Sequence, residues 1–145
     1  MFKHLLVPTD GSPLSEAAIR MAVTLAKGFQ ARITGFHAIP EYRIFTHRVE
    51  MMEDTQERFA QIAEQHAEHY LGMIAQAARE AGVPCDTIHV TSDHPYEAII
   101  RAVEEHNCDL IVMASHGRAG VQGLLIGSET QKVLTHSTIP VLVYR

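Results

Sequence analysis

The sequence predicts an α/β fold, a single open parallel sheet with helices on both faces. Three observations carry this. Short continuous apolar runs alternate with longer stretches of helical period, the pattern of strands buried on both faces and joined by crossover helices. Turn-forming loops rich in Gly, Ser and Thr follow the first and fourth runs, at the strand ends where such sheets hold ligands. A chain of 145 residues with 46% hydrophobic and 20% charged residues has the composition of one globular domain, residues 1–145. At this length one core buries roughly 68–70% of the unfolded surface without disulfides or structural metal.

Each element follows from a local signal. The first strand is placed at residues 2–7, Phe-Lys-His-Leu-Leu-Val. Ser12 then offers an N-cap and Pro13 a first helical position, and Leu14, Ala18, Met21, Leu25 and Phe29 recur at helical spacing behind them. A strand at 31–39 precedes a polar, irregular stretch from Pro40 to Glu53 that reads as a flap. The helix at 54–81 carries Phe59, Ile62, His66, Tyr70, Met73, Ile74 and Ala77 on one stripe and stops at Gly82, with Pro84 beyond. A strand at 85–91 leads to a helix that starts near His94-Pro95, turns Tyr96, Ile99, Ile100 and Val103 inward, and ends at Asn107, which tolerates the left-handed conformation. The fourth strand is 109–114. Ser128 opens the last helix, its hydroxyl capping while Gln131 reaches back, with Val133 and Leu134 facing the core. The fifth strand is 140–144. There is no internal repeat or low-complexity tract.

Charge excludes several partners. With 12 Lys+Arg against 17 Asp+Glu, the chain carries a formal charge of −5, so neither nucleic acid nor an anionic membrane would be held by bulk attraction. No apolar run approaches the roughly 20 residues of a membrane span, and Met1 to Pro8 breaks too early for a secretory segment, so a cytoplasmic protein is expected. Cys85 and Cys108 open apolar strands and read as small buried thiols.

The chemistry concentrates in two loops. Strand 1 runs into Pro8-Thr9-Asp10-Gly11-Ser12, and strand 4 into a stretch from Ser115 to Ser128 that holds Gly117, Gly120, Gly123 and Gly127. Such glycines present unhindered N–H groups to an anion, with the positive end of the last helix aimed the same way. A set of tight turns is the plain alternative, and these residues alone leave both open. The loop has no Gly-Lys-Ser/Thr and no Gly-x-Gly-x-x-Gly, so it is neither a Walker loop nor a dinucleotide fingerprint.

The runs Val7-Pro8-Thr9-Asp10-Gly11-Ser12, Val112-Met113-Ala114-Ser115-His116-Gly117-Arg118, Leu124-Leu125-Ile126-Gly127-Ser128-Glu129-Thr130 and Ile139-Pro140-Val141-Leu142-Val143 resemble the universal stress protein family, in order and over the whole chain. The resemblance implies a Rossmann-like, adenine nucleotide α-hydrolase-like sheet of order 3-2-1-4-5, with its switch point between strands 1 and 4. It also implies a stress-response regulatory role. The ATP-binding branch carries Gly-x2-Gly-x9-Gly-Ser/Thr, which stands here as Ala114-x2-Gly117-x9-Gly127-Ser128. Alanine at the first position is tolerable at negative φ and costs roughly 1–2 kcal/mol if left-handed.

The resemblance further implies a site for ATP with Mg²⁺, other adenine nucleotides being possible. Asp10 would accept a hydrogen bond from adenosine, with Pro8 and Thr9 on the same wall, Ala38 meeting adenine through its backbone, and Met113 and Ala114 as the floor. Polyphosphate would lie on Gly117, Gly127 and Ser128, helped by the hydroxyls of Ser128 and Thr130, with Glu129 in the same turn. Arg118 could add positive charge or simply be solvated, and His116, from its place in the same loop, could meet nucleotide or Mg²⁺. Capping of the helices by Asp10 and Ser128 is compatible with these roles.

Ten histidines raise a metal reading, above all His66-Ala67-Glu68-His69, but packed or rim histidines explain that spacing more simply. The apolar run Ile139–Tyr144 forms an uncharged edge strand, which predicts a homodimer joined edge to edge, as the resemblance also implies; Pro140 and Arg145 blunting the edge is the alternative. No nucleophile stands beside a base, so catalysis would be limited to slow ATP hydrolysis or self-phosphorylation. The Ser-Gly-Gly-x-Asp and His-x-Gly-His signatures of related enzymes are absent. The readings carried forward are a nucleotide-binding regulator with an unknown protein partner, and a dimeric interaction module that has lost its ligand.

Overall fold

Residues 1–42, 52–117 and 125–145 are described by a computed structural model. In chain order the elements are β1 (His4–Pro8), α1 (Pro13–Phe29), β2 (Arg32–Ile39), α2 (Met52–Ala81), β3 (Cys85–Thr91), α3 (Pro95–His106), β4 (Leu110–Ala114), α4 (Ser128–His136) and β5 (Val141–Tyr144). All strand pairs are parallel, in the order β3-β2-β1-β4-β5. This is the expected sheet, with β1 at its centre and β3 and β5 at its edges.

The two-residue period of the strands sorts the core into two layers. Leu5 and Val7 of β1, Ile33, Leu110 and Val112 point to one face, where they meet Ile19, Val23 and Ala26 of α1 and Leu71, Ile74 and Ala78 of α2. Leu6, Phe36, Ile111 and Met113 point to the other, against Ile99 and Val103 of α3 and Val133 of α4. Burying each large side chain contributes roughly 1.5–3 kcal/mol relative to leaving it exposed. The Asp109 carboxylate anchors the start of β1, accepting from the Lys3 and His4 amides at 2.8 and 3.0 Å.

Helix ends follow the expected chemistry except at α4. Ser12 Oγ accepts from the Ser15 amide at 3.2 Å and Pro13 opens α1. Asn107 takes the left-handed conformation after α3 with φ 55°, and Gly82 follows α2 with φ 72°. In α4 the cap is Gly127, not Ser128, and no side chain caps it. The Gly127 amide donates to Ser115 O at 2.6 Å, which holds Gly127 extended and starts the helix one residue before a Ser128 cap would. Gln131 Nε2 accordingly reaches Ile126 O, at 3.5 Å, rather than closing a capping box.

The inward stripes also differ from expectation. On α1 the buried residues are Ser15, Ala18, Ile19, Ala22, Val23 and Ala26, while Met21 is 37% exposed. Small residues face the sheet, and larger Leu14, Leu25 and Phe29 lie at the margins, half-buried. On α2 the buried residues are Ala67, Leu71, Ile74 and Ala78. Its expected residues Phe59, Ile62, His66 and Tyr70 turn to the cleft instead. The reason is length: 30 residues at a helical rise span about 45 Å, and the eight residues of β2 only about 26 Å. The turns of α2 before Ala67 run past the sheet, where there is no core to meet, and Tyr70, between buried Ala67 and Leu71, turns aside onto Gly11. Leu134 of α4 is 42% exposed, and Tyr96 and Ile100 are only half-buried.

Cys108 is buried and Cys85 half-buried. Burial raises both thiols, Cys108 to about 11, so both remain protonated and poorly nucleophilic near neutral pH. No described helix is long and apolar enough to cross a membrane.

Candidate functional site

The carboxyl ends of β1 and β4 emerge side by side, where the chain order of the sheet reverses. A cavity of about 670 Å³ opens there, within the range typical of small-molecule sites.

The loop after β1 is built around Asp10. Its Oδ1 accepts from the Ser12 amide at 2.9 Å and from Ser15 Oγ at 2.8 Å, which fixes the carboxylate at the head of α1. Gly11 has φ 78° and lies beneath the Tyr70 ring, which any Cβ there would strike. Across the cleft, a Cβ on Gly117 would collide with Asp10 Oδ2. The two loops therefore touch through a carboxylate and a glycine.

The loop after β4 is held as firmly at its described ends. Ser115 is buried; its amide donates to Tyr144 O at 2.7 Å and its hydroxyl pairs with His116 Nδ1 at 2.8 Å. A Cβ on Gly127 would sit 3.2 Å from Ser115 O. Thr130 Oγ1 donates to Ala114 O at 3.0 Å. Gly127 and Thr130 thus commit their own donors inside the protein and shape the cradle. The amides of Ser128, Glu129 and Thr130, in the first turn of α4, have no intrahelical acceptors and line its open end. Among the described residues only Gln30 and Asn107 combine a side chain with positive φ. Ala114 does not, so its methyl brings no left-handed strain.

The opposite wall is apolar. Phe36, Ala38 and Ile39 from β2, Met113 from β4, and Phe59 and Ile62 from α2 contribute to it. His37 is buried and its Nδ1 lies 2.8 Å from Thr9 O; a carbonyl only accepts, so Nδ1 carries a proton. Tyr70 meets His37 edge-on at 5.3 Å and His66 at 5.7 Å.

Pro8, Thr9, Asp10, Ala38, Met113, Ala114, His116, Gly117, Gly127, Ser128, Glu129 and Thr130 all line this one cavity. Arg118 and most of the Pro40 to Glu53 flap lie outside the described residues. The periodicity put Phe59, Ile62, His66 and Tyr70 on one stripe of the helix without marking them as cleft residues; the excess length of α2 over the strands was the available signal. His66 and His69 flank Tyr70 at 5.7 and 5.9 Å, and no cluster of three metal-ligating side chains occurs among the described residues.

Chemically, the cleft offers an apolar wall beside a turn rich in N–H donors. It suits a planar heterocycle joined to an anion. Ser115 has a histidine partner but is 1% exposed, so its hydroxyl cannot reach a substrate as a nucleophile.

Fold and cleft together define a Rossmann-like α/β protein with a cavity at the switch point of its parallel sheet. The chain belongs to the universal stress protein family, whose model matches residues 1–145. It is 33% identical to universal stress protein YxiE of Bacillus subtilis, with all of both chains covered. The solved structure of MJ0577, a universal stress protein of Methanocaldococcus jannaschii, superposes with a TM-score of 0.79 at 27% identity, covering 99% of this chain and 96% of that one. A universal stress protein solved in complex with cAMP gives 0.72 at 23% identity, over 99% and 97% of the two chains. A family protein from Arabidopsis thaliana with AMP bound gives 0.68 at 18% identity, over 98% and 90%. Both of the last two share the fold.

Proposed function

We propose that this protein is an adenine-nucleotide-binding regulator of the stress response, and that the nucleotide lies in the cleft between the β1 and β4 loops. The observation that carries this is the contact of Asp10 with Gly117, which joins the two loops into one cavity and leaves room for no side chain at Gly117 while Asp10 keeps its place. Adenine would lie against the apolar wall by Ala38 and Met113, the ribose would meet Asp10, and phosphate would face the amides of Ser128 and Glu129. The resemblance to the ATP-binding branch names ATP with Mg²⁺ as an occupant. AMP and cAMP in the solved relatives support the adenine nucleotide class.

In this reading the protein works in the cytoplasm as a homodimer joined along β5. Nucleotide steadies the surface around the cleft, and a protein partner reads that surface. Calorimetric titration of nucleotide-free protein with Mg-ATP and with AMP tests the proposal. Micromolar binding that falls at least tenfold in Asp10→Ala and Gly127→Val, with both variants folded by circular dichroism, is the expected result. Unchanged affinity in both would overturn the site, and no binding to folded wild-type protein would favour the ligand-free interaction module.

A further inference from the structure

The charges around the cleft go further than its shape. Among its described lining residues stand two carboxylates, Asp10 and Glu129, and no lysine or arginine. Asp10 is held at the β1 loop by Ser12 and Ser15. Glu129 stands in the first turn of α4, among the amides that would receive phosphate.

The Glu129 side chain is held in place. Its Oε2 accepts from the Tyr96 amide at 3.1 Å, in the first turn of α3, whose Pro95 also lines the cleft. The N-termini of α3 and α4 thus meet beside the cleft, joined by the Glu129 carboxylate on the Tyr96 amide. Lys132 Nζ lies 3.2 Å from the other oxygen, but both partners are substantially exposed, at 48% and 39%. Such a pair only partly offsets the carboxylate's field.

Resting on the nucleotide reading above, we infer that Glu129 is a specificity-determining residue that limits the phosphate charge the cleft accepts. The site prefers an adenine nucleotide with one phosphate to a triphosphate. A single phosphate can be met by the free amides of α4 alone. Each further phosphate brings negative charge toward a fixed carboxylate. Repulsion across several ångströms of partly solvated protein amounts to about tenfold in affinity after screening by salt.

The test is a set of titrations with AMP and with ATP, at low ionic strength and without divalent cations, on wild type, Glu129→Gln and Lys132→Met. Glutamine keeps an oxygen for the Tyr96 amide and removes only the charge. The expected result is that wild type binds AMP more tightly than ATP, and that Glu129→Gln tightens ATP about tenfold while moving AMP about twofold or less. Lys132→Met, which uncovers the carboxylate, should move ATP the opposite way, so the two variants check each other if either is impaired in folding. Tighter binding of ATP than AMP by wild type, or equal shifts of both ligands in Glu129→Gln, would overturn the inference and leave the nucleotide site standing. Binding of neither ligand by any folded form would overturn both.

Discussion

Gly117 matters because of what stands opposite it. Its hydrogen occupies the space that a methyl would share with Asp10 Oδ2, so Gly117→Ala should separate the loops and weaken nucleotide binding about tenfold while changing stability by less than about 1 kcal/mol, since the residue is exposed. Titration calorimetry beside urea unfolding checks both halves of that expectation. Ala114 shows the complementary case. The family motif has glycine there, yet the residue keeps a negative φ and closes the end of β4 with its methyl in place. A motif spacing is readable in a string of letters; the sign of φ that makes one substitution harmless is not.

His4 supplies a pH dependence at the same scale. It is buried with Nε2 2.7 Å from Thr34 Oγ1, and burial, aided by the Arg32 guanidinium, holds its pKa below the usual 6.5. His106 and Asp109, which also face it, act partly in the opposite direction. Below 6.5 the unfolded chain binds a proton that the folded protein resists, so stability from this group is complete above that pH and falls as pH drops toward the lowered folded value. His4→Gln should remove this component. Urea unfolding between pH 7.5 and about 5 should show wild type losing more stability than the variant; parallel losses would refute the assignment.

At the scale of elements, α2 does two jobs in one helix. Its inner turns pack Leu71, Ile74 and Ala78 on the sheet, and its outer turns make a cleft wall with Phe59 and Ile62. Ile74→Ala should cost about 2–5 kcal/mol. Ile62→Ala, at a side chain 53% exposed, should cost about 0.5 kcal/mol or less and yet weaken nucleotide binding. Denaturant midpoints and titrations on the same pair of variants measure that division. Hydrophobic periodicity located the helix within two residues at its start and ended it at the same residue, because Gly82 and Pro84 are strong local stops. It could not separate core turns from cleft turns, since an isoleucine follows the same period whether it faces a sheet or a ligand.

For the whole molecule, the open edge at β5 decides the expected assembly. Pro140 O and Tyr144 O accept from the amides of Ile111 in β4 and of Ser115 just beyond it, so in a parallel ladder the amides of Val141 and Val143 point away from the sheet. Val143→Pro removes one outward donor and leaves the β4 ladder intact. If the edge joins two copies, sedimentation should show a dimer for wild type and a monomer for the variant; dimers of both would place the contact elsewhere.

The sequence by itself determined the α/β class, the strand and helix order, the stops of α2 and α3 and the two loops that line the cleft, because these depend on local periodicity and on the backbone preferences of Gly, Pro, Ser and Asn. The tertiary structure alone decided that Gly127 rather than Ser128 caps α4, that Tyr70 sits on Gly11 and His37 beside it, and that Glu129 reaches the head of α3. Each of those depends on groups distant in the chain being brought within a few ångströms. Which helix faces meet, and how far α2 outruns the sheet, follow from packing in three dimensions, and packing distances are not encoded in any short stretch of sequence.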